Sequence, residues 1–333
     1  MKNICVLGGA GYVGSLLCSQ LLSDGHKVRA FDIGYFGDQF LPHDNPNFKL
    51  IQGDIRNVEQ LTEAFDGADV VIDLACISND ASFVLDEGLS TSINLDAFEP
   101  MVVAAKEAGV KRFIYASSSS VYGVSEEPDV KEDHPLVPLT LYNKYKGMCE
   151  PVLFKHQSDD FVCCTIRPAT LCGYAPRQRL DLSVNILTNH AVNNGKITVF
   201  GGSQLRPNLH IQDMCDLYRL LVGIEADKIA GQTFNCGFQN MSIMDIARVV
   251  KSIVEQEMPE LGDIEIATTP SDDLRSYHIN SDKIQDVIGF KPSHSIEDAV
   301  RDLCQAFKAG KLPDSMVDDW YYNVKTLQKL NAA

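Results

Sequence analysis

Several features are missing from this chain or scarce in it. Its 333 residues include one tryptophan, and no apolar run approaches the roughly 18 residues that a membrane-spanning helix needs. Lysine and arginine number 29 against 45 aspartates and glutamates, a net charge of −16. Such acidity argues against nucleic acid or an anionic membrane surface as a partner held by general charge. None of the ten cysteines falls in a C-x-x-C pair, and the eight histidines form no H-E-x-x-H or other ligand-spaced cluster, so no metal is expected. Scattered cysteines in apolar runs, such as Cys5 and the pair Cys163-Cys164, read as reduced thiols acting as small hydrophobes. Met1 runs straight into an apolar segment without the charged and apolar regions of a signal peptide, so a cytoplasmic protein is expected. Internal repeats, low-complexity tracts and long linkers are absent as well. With 45% hydrophobic and 22% charged residues, the composition excludes disorder, collagen and coiled coil.

What is present is an alternation. Short β-rich runs at 3–7, 27–32, 48–51, 69–74, 112–117 and 161–167 alternate with helical patterns at 12–23, 58–65, 90–108 and 141–157. This order predicts βαβ units around a parallel sheet. The expected fold is α/β, a Rossmann-type doubly wound parallel sheet with a smaller mixed C-terminal cap. Residues 1–168 are assigned to a dinucleotide-binding domain and 169–333 mainly to the cap, with segments at about 209–240 returning to the first domain.

The first strand leads into Gly8-Gly9-Ala10-Gly11-Tyr12-Val13-Gly14 and then a helix. Glycines at 8, 11 and 14 permit a tight turn, approach of the backbone to a pyrophosphate, and close packing of helix on strand. The helix N-terminus offers its N–H groups to the anion. The second strand ends at Asp32, where a carboxylate accepts hydrogen bonds from the adenine-ribose hydroxyls and repels a 2′-phosphate, favouring NAD over NADP. The alternative is that Asp32 merely opens a turn before Gly34. Arg29, inside the strand, is poorly placed to clamp a 2′-phosphate.

Two segments carry chemistry: Ser117-Ser118-Ser119-Ser120-Val121-Tyr122-Gly123 at a strand end, and Tyr142-Asn143-Lys144-Tyr145-Lys146 opening a helix. Tyr142 and Lys146, four apart, share a helical face. An ammonium beside a phenol lowers its pKa toward neutrality, which makes Tyr142 a usable general base. Such a pair alone also occurs by chance on many helices.

Together, the glycine loop, Asp32, Gly53-Asp54-Ile55, the serine run and Tyr142-x-x-x-Lys146 resemble the extended short-chain dehydrogenase/reductases, specifically the NAD-dependent nucleotide-sugar epimerases and dehydratases, of the UDP-glucose 4-epimerase type. Arg206-Pro207-Asn208-Leu209-His210-Ile211-Gln212-Asp213 and Ile288-Gly289-Phe290-Lys291-Pro292 extend the likeness over nearly the whole chain. The resemblance implies NAD as cofactor, held by Gly8, Gly11, Tyr12, Val13, Gly14, Asp32, Asp54, Ile55, Leu74, Ala75, Ser117, Tyr142, Lys146 and Pro168. It implies Ser118, Tyr142 and Lys146 as catalytic residues. Ser119, Ser120, Arg179, Asn185, Arg206 and Arg275 are implied as contacts to a nucleotide-diphosphate sugar, with Arg177 or Arg179 standing in for Arg275 at the second phosphate if needed. A homodimer is implied through the helices at 90–108 and 141–157, where Met101, Val102, Met148, Val152 and Leu153 suit such a face or the protein's own core.

The family's shared first step is oxidation at sugar C4. Where the 4,6-dehydratases carry an Asp-Glu pair, this chain has Ser119 and Ser120, so dehydration is disfavoured unless Asp80 or Asp181 supplies the carboxyl. The expected function is a 4-epimerase. The alternative is a 4-dehydrogenase or 4-ketoreductase that releases its product. A non-catalytic dinucleotide sensor is expected to lose the Tyr/Lys pair, which is retained here. The resemblance places Tyr277 near the point where family epimerases decide whether an N-acetyl sugar fits, and a bulky Tyr there favours an unacetylated hexose or a differently shaped sugar.

Overall fold

A computed structural model describes the chain apart from Glu126, Pro128, residues 271–275 and Ala333, with the backbone alone for Asn331 and Ala332. The N-terminal half runs β1 (Asn3–Leu7), α1 (Tyr12–Ser23), β2 (Lys27–Asp32), β3 (Phe48–Gln52), α2 (Val58–Phe65), β4 (Val70–Asp73), α3 (Asp80–Phe83), α4 (Glu87–Thr91), α5 (Phe98–Glu107), β5 (Arg112–Ala116), α6 (Leu141–Lys155) and β6 (Val162–Pro168). There follow β7 (Thr170–Cys172), α7 (Ser183–Asn194), β8 (Lys196–Phe200), β9 (Leu205–His210), α8 (Ile211–Gly223), α9 (Ala226–Ile229), β10 (Gln232–Cys236) and β11 (Gln239–Ser242). The chain ends with α10 (Ile243–Glu257), β12 (Glu265–Thr269), α11 (Asp282–Ile288), α12 (Ile296–Lys308) and α13 (Asn323–Ala332).

Seven strands form one parallel sheet in the order β10-β6-β5-β4-β1-β2-β3. Side chains alternate between its faces: Ile4 and Val6 pack into one buried cluster, Cys5 and Leu7 into the other. Helices cover both sides, and the central strands β1 and β4 are apolar apart from one end residue each, Asn3 and Asp73. The fold is therefore the expected α/β, Rossmann-like one, with the chain reversing direction between β1 and β4. At that reversal the loops leaving neighbouring strands diverge and open a crevice. Late in the chain, β10 joins the main sheet beside β6, with Gln232 opposite Cys164, and α8 packs on α1.

The cap is built from a three-stranded sheet β11-β9-β7, a two-stranded parallel pair β12-β8, and a third buried cluster among α7, α10 and α12. The helical stretch expected at 90–108 begins earlier, at Glu87, and passes through a π-helical turn at Ser92–Asp96. Met101, Val102 and Leu153 are buried in the second cluster of the main sheet, and of the five residues suited to a dimer face Met148 alone is well exposed. All ten cysteines are unpaired, and Cys76 is the one not fully buried. Among the described residues, no helix is long and apolar enough to cross a membrane.

Candidate active site

The crevice at the C-terminal ends of the strands opens into a cavity of about 650 Å³ that continues into the cap. It runs from Gly8, Gly11, Tyr12, Val13 and Gly14 past Asp32, Asp54 and Ile55 to Leu74, Ala75, Ser117 and Pro168. Beyond these lie Ser118, Ser119, Ser120 and Tyr142, and on the cap side Arg179 and Arg206. Of the remaining expected residues, Lys146 and Asn185 do not line it, and Arg275 falls outside the described residues.

At the glycine-loop end, no side chain caps α1, so the N–H groups of its first turn are left for another acceptor. A Cβ on Gly14 would collide with the Gly8 carbonyl oxygen and with Gly9 Cα, so only glycine lets the helix seat against the loop. Both features fit a dinucleotide phosphate. Asp32 ties the glycine loop to the turn that follows β2: Oδ2 accepts from the Ala10 amide and Oδ1 from the Gly34 amide, each at 2.9 Å. Each carboxylate oxygen keeps capacity for a further donor such as a ribose hydroxyl. Asp54 is held by a bidentate ion pair with Arg56, which keeps its carboxyl below the usual range. Arg29 donates to the Ala64 and Asp66 carbonyls at the end of α2, away from the cavity.

At the catalytic end, Thr140 caps α6 by accepting from the Asn143 amide at 3.3 Å, and this sets the first turn that carries Tyr142. Lys146 Nζ donates to the Ala116 carbonyl at 2.7 Å and lies 5.0 Å from the Tyr115 ring centroid. Burial pushes the Tyr142 phenol well above its ordinary pKa; the Asp80 charge adds to this and the Arg179 charge opposes it. The serines form a chain: Ser118 Oγ and Ser120 Oγ share a hydrogen bond of 2.7 Å, and Ser120 Oγ donates to Asn143 Oδ1 at 2.5 Å. Ser119 is fully buried, its hydroxyl unpartnered.

The cap contacts are partly corrected. Asn185 is a clip inside the protein: Oδ1 accepts from the Gly173 amide at 3.0 Å, and Nδ2 donates to the Arg179 carbonyl at 2.9 Å and to Tyr12 Oη at 3.1 Å. Tyr12 in turn donates to the Gly173 carbonyl at 2.6 Å, so its side chain ties the cap loop to α1. The Arg179 fork is engaged by Asp181 at 2.9 and 3.2 Å, and its third arm donates to Ser78 Oγ. Arg206 lines the cavity with its guanidinium 5.5 Å from the centroid of the Tyr277 ring, which lines it too.

With this geometry, the sequence matches the NAD dependent epimerase/dehydratase family across residues 4–237. The chain belongs to that family. A UDP-glucose 4-epimerase of Lactobacillus helveticus is 26% identical over 324 residues, covering 90% of this chain and 94% of that protein. A UDP-N-acetylglucosamine 4-epimerase of Methanobrevibacter ruminantium, solved with UDP-N-acetylmuramic acid, shares the fold at a TM-score of 0.81 and 23% identity, over 93% of this chain and 99% of that one. A dTDP-glucose 4,6-dehydratase of Streptomyces venezuelae, solved with NAD, gives 0.81 at 20% identity, over 97% and 99%. As a member of the epimerase/dehydratase family, the chain is an NAD-dependent enzyme.

Some site residues escaped the sequence reading. Glu150, four residues after Lys146 on α6, accepts from Ser117 Oγ at 2.6 Å and from Arg167 at 2.6 and 2.9 Å, all buried. Arg167 also donates to Tyr122 Oη, which donates to Asn235 Oδ1. The spacing from Lys146 was the available signal. Asp73, buried at the end of β4, accepts from the Ala75 amide at 3.1 Å; burial lifts its pKa to about 6 while the charge of Lys146 works against that. Asn143 was visible as a bulky residue beside Tyr142, but not its bond to Ser120.

Proposed function

We propose that this enzyme is a nucleotide-sugar 4-epimerase that acts by transient oxidation at sugar C4. The observation that carries this reading is one continuous cavity that joins the glycine loop and Asp32 to Ser118, Tyr142 and Arg206, with Ser119 and Ser120 beside Ser118 where a dehydratase needs carboxyls. The UDP-glucose 4-epimerase relative of Lactobacillus helveticus supports it.

In this mechanism Arg206 meets the substrate diphosphate, for which a guanidinium fork is well matched. Tyr142 Oη takes the proton of the C4 hydroxyl as general base. The Arg179 charge favours the phenolate against the burial that opposes it. Ser118, whose hydroxyl is oriented through Ser120 and Asn143, hydrogen-bonds the same C4 oxygen and fixes its direction. Lys146, one turn after Tyr142 on α6 and behind the cavity lining, would hold the nicotinamide ribose with the donors that its bond to the Ala116 carbonyl leaves. Bound NAD would supply the hydride acceptor and donor for C4, the one task these side chains cannot perform.

The test is incubation of the purified protein with UDP-, dTDP-, GDP- and CDP-hexoses, followed by mass spectrometry and chromatography of the products. An isomer of unchanged mass is expected, and Tyr142→Phe should abolish its formation while bound NAD is retained. A product lighter by two hydrogens would make the enzyme a 4-dehydrogenase, and one lighter by a water would make it a dehydratase. Near-normal turnover in Tyr142→Phe would remove the assigned base.

A further inference from the structure

Arg177 is among the largest fully buried side chains of the protein, 1% exposed, and it lines the cavity. Three separate segments fix it. Its backbone N–H donates to Ser15 Oγ at 3.1 Å, in the first turn of α1. Its guanidinium lies 3.8 Å from the centroid of the Phe36 ring, on the loop after β2. One amino group donates to Asn323 Oδ1 at 2.6 Å, at the start of α13. Trp320 closes the enclosure, 5.8 Å from the guanidinium, with Nε1 donating to the Phe36 carbonyl at 2.6 Å.

The charge inside this enclosure is unbalanced. Arg167 has Glu150 and Arg179 has Asp181, but among the described residues Arg177 forms no ion pair, and its Nε–H is buried with no acceptor. Burial, with the Arg179 charge, pulls the guanidinium pKa down to about 9, and the charges of Asp181 and Asp32 oppose this. A buried cation in this condition is costly until an anion meets it.

We propose that Arg177 is a cofactor-binding residue whose Nε–H edge takes a phosphate oxygen of the dinucleotide. The inference rests on the reading that the glycine-loop end of the cavity holds NAD. Its place argues for the cofactor over the sugar nucleotide: the neighbours are α1's first turn, the loop that follows Asp32, and α13. The role of spare contact to the substrate diphosphate, open to Arg177 on sequence alone, would need it further into the cap. An anion bound here joins three segments distant in sequence, which favours slow release of a cofactor that must return its hydride within one turnover.

The test uses full-length protein and Arg177→Met, which keeps the bulk and the apolar stem but removes the charge and donors. NAD remaining per chain after purification is counted on denaturation, and affinities for NAD, ADP-ribose, adenosine and UDP are measured by equilibrium dialysis. Loss of one charged hydrogen bond predicts roughly ten- to hundredfold weaker NAD and ADP-ribose, with adenosine and UDP changed by less than about threefold, or about 0.65 kcal/mol. Unchanged NAD affinity, or a loss confined to UDP, overturns the assignment. If Arg177→Met does not fold, Arg177→Lys is read by the same criteria, since it keeps a point charge and lacks the Nε edge. Wild-type protein that binds UDP but not NAD would instead sink the cofactor reading of the cavity.

Discussion

Replacing Glu150 by leucine tests how the catalytic helix is held. Glu150 and Arg167 have side chains 5% and 6% exposed and meet through hydrogen bonds of 2.6, 2.9 and 3.2 Å. Without the carboxylate, Arg167 keeps two neutral acceptors, Tyr122 Oη at 2.6 Å and the Glu132 carbonyl at 3.0 Å, and is left as a buried cation. Breaking a buried pair from one side costs about 3–5 kcal/mol, and the orphaned Ser117 hydroxyl adds about 1 kcal/mol. Against a total stability of about 5–15 kcal/mol, urea unfolding should show a large fall in midpoint. Converting both partners to apolar residues, Glu150→Leu with Arg167→Met, should recover most of that loss, because no lone charge remains. The exposed pair Lys196–Glu265, 45% and 61% exposed, serves as the control, and its removal should cost less than about 1 kcal/mol. A Glu150→Leu loss below about 1 kcal/mol, or a double variant no better than the single one, would refute the reasoning.

Two further substitutions probe the ends of the cavity. In Gly14→Ala the new Cβ collides with backbone on two sides, so the protein should lose about 1–3 kcal/mol and purify without NAD; a stable variant with normal NAD content would count against the glycine-loop seat. Asp80 accepts from Thr140 Oγ1 at 2.6 Å, and its charge raises the Tyr142 phenol. Asp80→Asn should therefore lower the pKa of Tyr142 and move the acid limb of kcat/KM toward lower pH; a shift upward, or none, would separate Asp80 from the base.

Much of the framework was legible. The run Lys27–Asp32 is the second strand to the residue, because helix-covered parallel strands carry apolar side chains on both faces and end at the polar residues of the crevice. What spacing could not show is where a polar side chain finds its partner when that partner is far away in sequence. Tyr142 and Lys146 do share a helical face, yet the ammonium reaches the Ala116 carbonyl on the neighbouring strand. The α5 positions that suited a dimer face are buried because α5 packs against α2 and α6 as well as the sheet, a crowding that an apolar pattern does not distinguish from an interface.

The arginines make the limit specific. Arg167, Arg177 and Arg179 all follow or end the sixth strand, and sequence alone marks each as a cation in need of an anion. Folding gives Arg167 the carboxylate of Glu150 and Arg179 that of Asp181, both supplied by the chain. Arg177 receives an aromatic face and one neutral acceptor. A residue type states only that a charge must be balanced. Whether the protein or its ligand balances it depends on which side chains remain uncommitted after packing, and so an arginine bound to phosphate and one bound to aspartate look alike until the fold is known.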